Sequence, residues 1–141
     1  MFSKVLFPVD LEDVVTAEHA LRYLNGMLSN GQELHILGVL PGFNMPLVAS
    51  YFPEGTVEHA INAMEHQLKE LAEQNLSSNL NWFIHVAEGV PHKEIVKKAH
   101  KLNCDLIAIP SRNHGLVEKV LLGSVTAKVV EQADCSVFVM R

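Results

Sequence analysis

Long hydrophobic runs are missing from this sequence. Continuous apolar stretches such as Leu106 to Pro110 are strand-sized, far short of the roughly 20 residues that cross a bilayer as a helix. The segment Met1-Phe2-Ser3-Lys4-Val5-Leu6-Phe7-Pro8 is apolar only briefly before Asp10. It lacks the longer apolar region and small-residue cleavage site of a signal peptide, so it reads as a first strand. Cysteine is scarce. Cys104 and Cys135 are the two, with neither CxxC nor metal-like spacing, and two reduced, partly buried thiols in the cytoplasm are expected. Basic residues are few, 11 Lys and Arg against 16 Asp and Glu, for a net charge of -5. No segment offers the Lys/Arg stripe that a nucleic-acid backbone or an anionic membrane surface attracts, so neither is an expected partner.

Catalytic signatures are absent too. No Gly-x-Ser-x-Gly elbow and no Gly-Lys-(Ser/Thr) loop after a strand occurs. The eight histidines contain no HExxH and no Cys/His cluster. His59 and His66 share one helix face, but without a carboxylate as third ligand they make a surface pair, and no metal site is expected. Phosphoryl transfer needs a lysine and metal-holding carboxylates, and only Asp10 is well placed. The protein is therefore not expected to be an enzyme.

What is present is the material of one α/β domain. The 141 residues suit a single domain, and 48% hydrophobic residues are enough for a core. Charged residues, at 19%, are slightly sparse, which predicts some partner-covered surface. Strand-like and helix-like segments alternate. Val5 to Val9 reads as a buried strand. Ala17, Ala20, Leu21, Leu24, Met27 and Leu28 recur at three and four, giving a helix from about Asp13 to Ser29 that Asn30-Gly31 ends. Leu34 to Leu40 is a second strand. Val57, Ala60, Ile61, Met64, Leu68 and Leu71 mark a second helix, and Leu80 to Ala87 a third strand. Gly89-Val90-Pro91 opens a helix with Pro91 near its first position, followed by Ile95, Val96, Ala99 and Leu102. Leu106 to Ile109 is a fourth strand. Leu121, Val125 and Val129 mark a last helix, and Ser136 to Met140 a fifth strand. Such alternation predicts a parallel sheet covered on both faces. No linker or solenoid repeat interrupts it. The long connection Pro41 to Thr56 is either a binding loop or a surface excursion.

In open parallel sheets, ligands sit beyond the carboxyl ends of the strands. Pro8, Val9 and Asp10, Val39 to Gly42, Glu88 and Gly89, and Pro110 to Asn113 are therefore the candidates. The Asp10 carboxylate can accept hydrogen bonds from sugar hydroxyls or cap the following helix. Leu122-Gly123-Ser124-Val125-Thr126 predicts a helix N-terminus behind a glycine. Its outward N–H groups and dipole favour an anion, with Ser124 and Thr126 adding hydroxyls. A plain Gly-Ser helix start reads the same way.

Three stretches resemble the universal stress protein family. They are Lys4-Val5-Leu6-Phe7-Pro8-Val9-Asp10, Glu88-Gly89-Val90-Pro91 with Ile95 and Ala99, and Asp105 to Ser111 through Leu121-Leu122-Gly123-Ser124-Val125 to Cys135-Ser136-Val137-Phe138-Val139-Met140-Arg141. The resemblance covers essentially the whole chain. It implies a Rossmann-like five-stranded parallel sheet in the order 3-2-1-4-5 with two helices on each face. Nucleotide-binding members carry Gly-x2-Gly-x9-Gly-(Ser/Thr). Here the two early glycines are replaced by Pro110 and Asn113, while the nine-residue spacing and Gly123-Ser124 are kept. Asn113 tolerates left-handed backbone, whereas Pro110 has no N–H to donate. The resemblance places the chain with the binders of an adenine nucleotide, ATP first, with or without Mg, and leaves at most slow, incidental hydrolysis. It implies Asp10 on the ribose, backbone near Val39 on the adenine edge, and Gly123, Ser124 and Val125 around the phosphates. Ser111, Arg112 and Asn113 belong to the same loop, and Arg112 and His114 add positive charge there or stay solvated. It also implies a homodimer through the C-terminal strand and a stress-response or signalling role. The alternative is a dimeric interaction module of the same fold that binds no nucleotide. A receiver domain fits less well: Asp10, Glu12 and Asp13 imitate its acidic pair, but only Arg141 follows Met140 where a lysine is needed.

Overall fold

Short β-branched and aliphatic runs make the strands, and periodic apolar stripes make the helices between them. The computed structural model describes residues 2–42, 50–111 and 123–141. In chain order the elements are β1 (Lys4–Val9), α1 (Val14–Met27), β2 (Glu33–Leu40), α2 (Thr56–Asn75), β3 (Asn81–Glu88), α3 (Pro91–Lys101), β4 (Leu106–Pro110), α4 (Ser124–Gln132) and β5 (Ser136–Met140). The sheet runs β3-β2-β1-β4-β5, and every pairing is parallel. This is the architecture and order expected above.

Alternation along each strand divides the core. Val5 and Phe7 of β1 pack with Leu34, Ile36 and Ala108 against Ala17, Leu21 and Leu24 of α1 and Leu68, Leu71 and Ala72 of α2. Leu6, Leu37, Ile107 and Ile109 face the other way, onto Ile95 and Ala99 of α3 and Val129 of α4. Two helices therefore cover each face. Phe7, Leu6, Leu21, Leu24, Ile36 and Leu68 are fully buried, each worth about 1.5–3 kcal/mol relative to exposure.

Boundaries move by a residue or two where long-range pairing decides them. Lys4 and Glu33 join the ladder opposite one another, so β1 and β2 start one residue before their apolar cores. α1 ends at Met27, with Leu28 extended behind it. Leu121 lies outside the described residues, and α4 starts at Ser124. Among the described residues no helix is long and apolar enough to cross a membrane.

Two glycines are dictated by the fold. Gly89 adopts φ +146, and a Cβ there would sit 2.6 Å from Glu94 Oε1. Its N–H donates to Leu40 O at 2.9 Å, which carries the β2 seam past the end of β3. Gly38 lies under α2, where a Cβ would sit 2.5 Å from Met64 Sδ. That close approach lets Met64 lie over the end of β2.

Candidate functional site

Parallel topology brings the carboxyl ends of β1, β2 and β4 to one edge of the sheet, beside the N-termini of α1, α3 and α4. A cavity of about 870 Å³ opens there, within the range of small-molecule sites. β1 supplies Pro8, Val9 and Asp10 to its wall, and β2 supplies Val39, Leu40 and Pro41. α3 adds Pro91 and Ile95. β4 adds Ile109 and Pro110, and the start of α4 adds Gly123, Ser124, Val125 and Thr126. Of the residues singled out in the sequence as site candidates, eleven thus meet in one cavity: Pro8, Val9, Asp10, Val39, Leu40, Pro41, Pro110, Gly123, Ser124, Val125 and Thr126.

The two ends of this site differ chemically. At α4, Gly123 is the N-cap with φ -57 and ψ 155, and no side chain among the described residues caps the helix. The first turn of a helix has no intrahelical acceptors for its N–H groups, so the amides of Ser124, Val125 and Thr126 form an anion-accepting end. At β1 the chain turns through Asp10 to Asp13. Asp10 Oδ1 accepts the Glu12 N–H at 2.9 Å, and the Asp10 carbonyl accepts the Asp13 N–H at 3.0 Å. Val9, Val39, Ile95 and Ile109 supply apolar wall between polar groups, as a flat heterocycle needs.

Of the two sequence readings of Asp10, capping fails. Asp13 is the N-cap of α1, its carboxylate accepting the Thr16 N–H at 3.4 Å. The turn puts Asp13, three residues later, at the position that faces the helix. Asp10 is left on the cavity wall.

Two hydroxyl candidates are bonded inside the fold. Ser111 is 6% exposed. Its N–H donates to Met140 O at 2.8 Å and its Oγ to the same carbonyl at 3.3 Å. Ser111 thus extends the β4–β5 seam and does not line the cavity. Thr126, 4% exposed, donates Oγ1–H to Pro110 O at 3.2 Å. Its hydroxyl proton positions α4 and is not aimed at a ligand. Ser124 is exposed at the helix start. Arg112, Asn113 and His114 lie outside the described residues, as does Phe43. Tyr51 and Phe52, in the long connection after β2, are 79% and 45% exposed and do not line the cavity.

Sequence reasoning did not pick out Thr16, Met64, Pro91 and Ile95 as cavity residues. Met64 had a signal, because a glycine inside an apolar strand marks a close approach by something else. Among the described residues, no group of three or more His, Cys, Asp or Glu is placed to hold a metal ion.

The family model described as the universal stress protein family matches residues 1–141. The chain belongs to the universal stress protein family. Its curated relatives include universal stress protein MJ0531 of Methanocaldococcus jannaschii, 28% identical, with the match covering 100% of this chain and 83% of the relative. Universal stress protein MJ0577 of the same organism is 30% identical over 162 residues, covering 100% of this chain and 96% of the relative. The solved structure of MJ0577 superposes with a TM-score of 0.79, covering 99% of this chain and 96% of the other. A universal stress protein from Archaeoglobus fulgidus, solved in complex with dAMP, shares the fold at a TM-score of 0.69 and 18% identity, covering 99% and 98% of the two chains.

Proposed function

We propose that the cavity binds an adenine nucleotide, ATP foremost, and that the protein is a stress-response module whose signal is nucleotide occupancy. One observation carries the reading: Asp10 and the uncapped α4 N-terminus at Gly123–Thr126 line one cavity of nucleotide size. The Asp10 carboxylate takes ribose hydroxyls, the wall around Val39 takes the base, and the α4 amides take phosphate. The dAMP complex of the Archaeoglobus fulgidus protein supports the same ligand class in the same fold. Mg accompanies the polyphosphate rather than a protein-built metal site. The reading assigns no catalytic residue, and any hydrolysis is slow and incidental.

The same reading places the protein in the cytoplasm as a homodimer through β5. That strand is an edge of the sheet, and its residues Val137, Phe138, Val139 and Met140 are only partly buried. An unpaired apolar edge invites association, and a two-fold axis pairs it with its own copy.

A non-nucleotide interaction module is the second reading. Pro110 lacks an N–H, and the Ser111 N–H and Thr126 hydroxyl are already bonded within the fold, so fewer donors reach the phosphate end. Equilibrium binding of labelled ATP to the purified protein separates the two. Saturable binding supports the nucleotide reading, and none at millimolar ligand leaves the interaction module.

A further inference from the structure

On the α3 side of the sheet, two histidines that do not line the cavity form a bonded pair. His35 Nδ1 lies 2.8 Å from His85 Nε2, bridging β2 and β3, and the rings stack with centroids 5.1 Å apart. Phe83 of β3 also stacks on His35, at 4.9 Å. His35 is 7% exposed, and its Nε2 makes no hydrogen bond among the described residues. The Glu33 carboxylate stands 3.9 Å from that nitrogen.

The chemistry of the bond fixes how many protons it tolerates. Two neutral imidazoles need one N–H and one bare nitrogen between them. His35 Nε2 faces a carboxylate, so the proton of that ring belongs on Nε2. His35 Nδ1 is then the acceptor, and His85 Nε2–H donates; this tautomer is assigned from the network. One added proton still leaves a donor and an acceptor. A second sets two N–H groups and two positive charges against each other across 2.8 Å, and the bond is lost. The charged groups facing the pair are Lys4 of β1, Glu33 of β2 and Lys98 of α3. Glu33 alone of these favours a protonated imidazole.

β3 is an edge strand, and within the sheet it pairs with β2 alone. The histidine bond crosses that single seam. We propose that the His35–His85 bond is an acid-sensitive latch on β3, and that protonation of the pair releases the strand. Burial holds both imidazoles below the ordinary histidine value of 6.5. His85 is pushed down to about 4 by burial first, then by His35 and Lys98. The pair titrates as a unit. The unfolded chain takes up these protons near the ordinary value and the folded chain resists them. The stability that the latch gives β3 is therefore whole above that value and declines as the pH falls from there toward 4, because the opened strand takes up protons that the closed pair refuses. The seam ends at the cavity, because Gly89 N–H holds Leu40 O and Leu40 lines the wall. The latch does not depend on what the cavity binds.

The test is an NMR titration of the imidazole nitrogens in the intact protein, with amide protection factors for β3 and β1 at pH 7 and pH 5. Each unit of unmatched pKa is worth a factor of ten, and discounting for the partial exposure of His85 leaves about tenfold over this range. β3 protection should fall about tenfold more than β1 protection. His85 should stay neutral to below pH 5. In His85→Gln the amide keeps a donor but cannot titrate, so the extra loss in β3 should shrink to the share that His35 alone contributes. The proposal is overturned if His85 titrates near 6.5, if β3 and β1 lose protection in parallel, or if His85→Gln behaves as wild type. Should the variant not fold, the wild-type titration decides alone.

Discussion

The Thr126 hydroxyl donates to the Pro110 carbonyl across 3.2 Å, tying the first turn of α4 to the end of β4. The helix start that the proposal assigns to phosphate is held there by a residue whose own hydroxyl is bonded within the fold. Thr126→Val keeps the shape and removes the donor. It should cost about 1 kcal/mol of stability, the net worth of one such bond, read as a lower urea midpoint. Thr126→Ser keeps the hydroxyl and should recover most of it. A loss in Thr126→Ser with none in Thr126→Val would mean that packing of the methyl, not the bond, sets the position.

Asp105 clamps the opposite end of the sheet. Its carboxylate accepts the Ser3 N–H at 2.8 Å and the Lys4 N–H at 3.0 Å, joining the start of β1 to the approach to β4. Burial pushes its pKa up, but these backbone N–H bonds outweigh that and hold it below the ordinary carboxylate value. The folded state therefore binds this proton less tightly than the unfolded chain. The contribution is present above about pH 4 and disappears as the pH falls through the folded value. Asp105→Asn should lower the urea midpoint at pH 7 and flatten its dependence below pH 4. An unchanged slope in acid would remove Asp105 from the acid response.

The parallel sheet and its two-face core follow from features visible in the chain, and the sheet order is what the family resemblance implied. The strands are short apolar runs, the helices have clear stripes, and strand ends in a parallel sheet converge on one edge. Details set by distant partners were not visible. Asp10 and Asp13 are equivalent as capping residues in sequence, and only the turn between them selects Asp13. Ser111 reads as a loop hydroxyl until Met140 is seen beside it. Met64 reads as one more helix stripe residue until the missing Cβ of Gly38 brings it over β2.

The dimer proposal rests on β5. Val137 and Val139 pack on the α3/α4 side, while Phe138 and Met140 pack on the α1/α2 side, where Phe138 meets Tyr23 at 6.0 Å. Proline at Phe138 removes a donor from the strand. Sedimentation of Phe138→Pro should show monomer or aggregate in place of dimer. A stable dimer would put the interface elsewhere.

The two ends of the proposed nucleotide site should fail separately. The Gly123 backbone, φ -57 and ψ 155, is one that valine adopts without strain. Gly123→Val therefore keeps the backbone and puts a side chain where the proposal brings phosphate. It should weaken ATP much more than adenosine. Asp10→Ala removes the ribose acceptor and should weaken both ligands by a similar factor. Losing one hydrogen bond to a charged group is worth about 1.5–3 kcal/mol, or roughly ten- to a hundredfold in affinity.

Calorimetric titration of the wild-type protein with ATP tests the central claim most directly. The account predicts saturable binding with a Kd of roughly 1 to 100 µM, about -8 to -5.5 kcal/mol, toward the weak end because Pro110 supplies no N–H. No binding at millimolar ATP would contradict it.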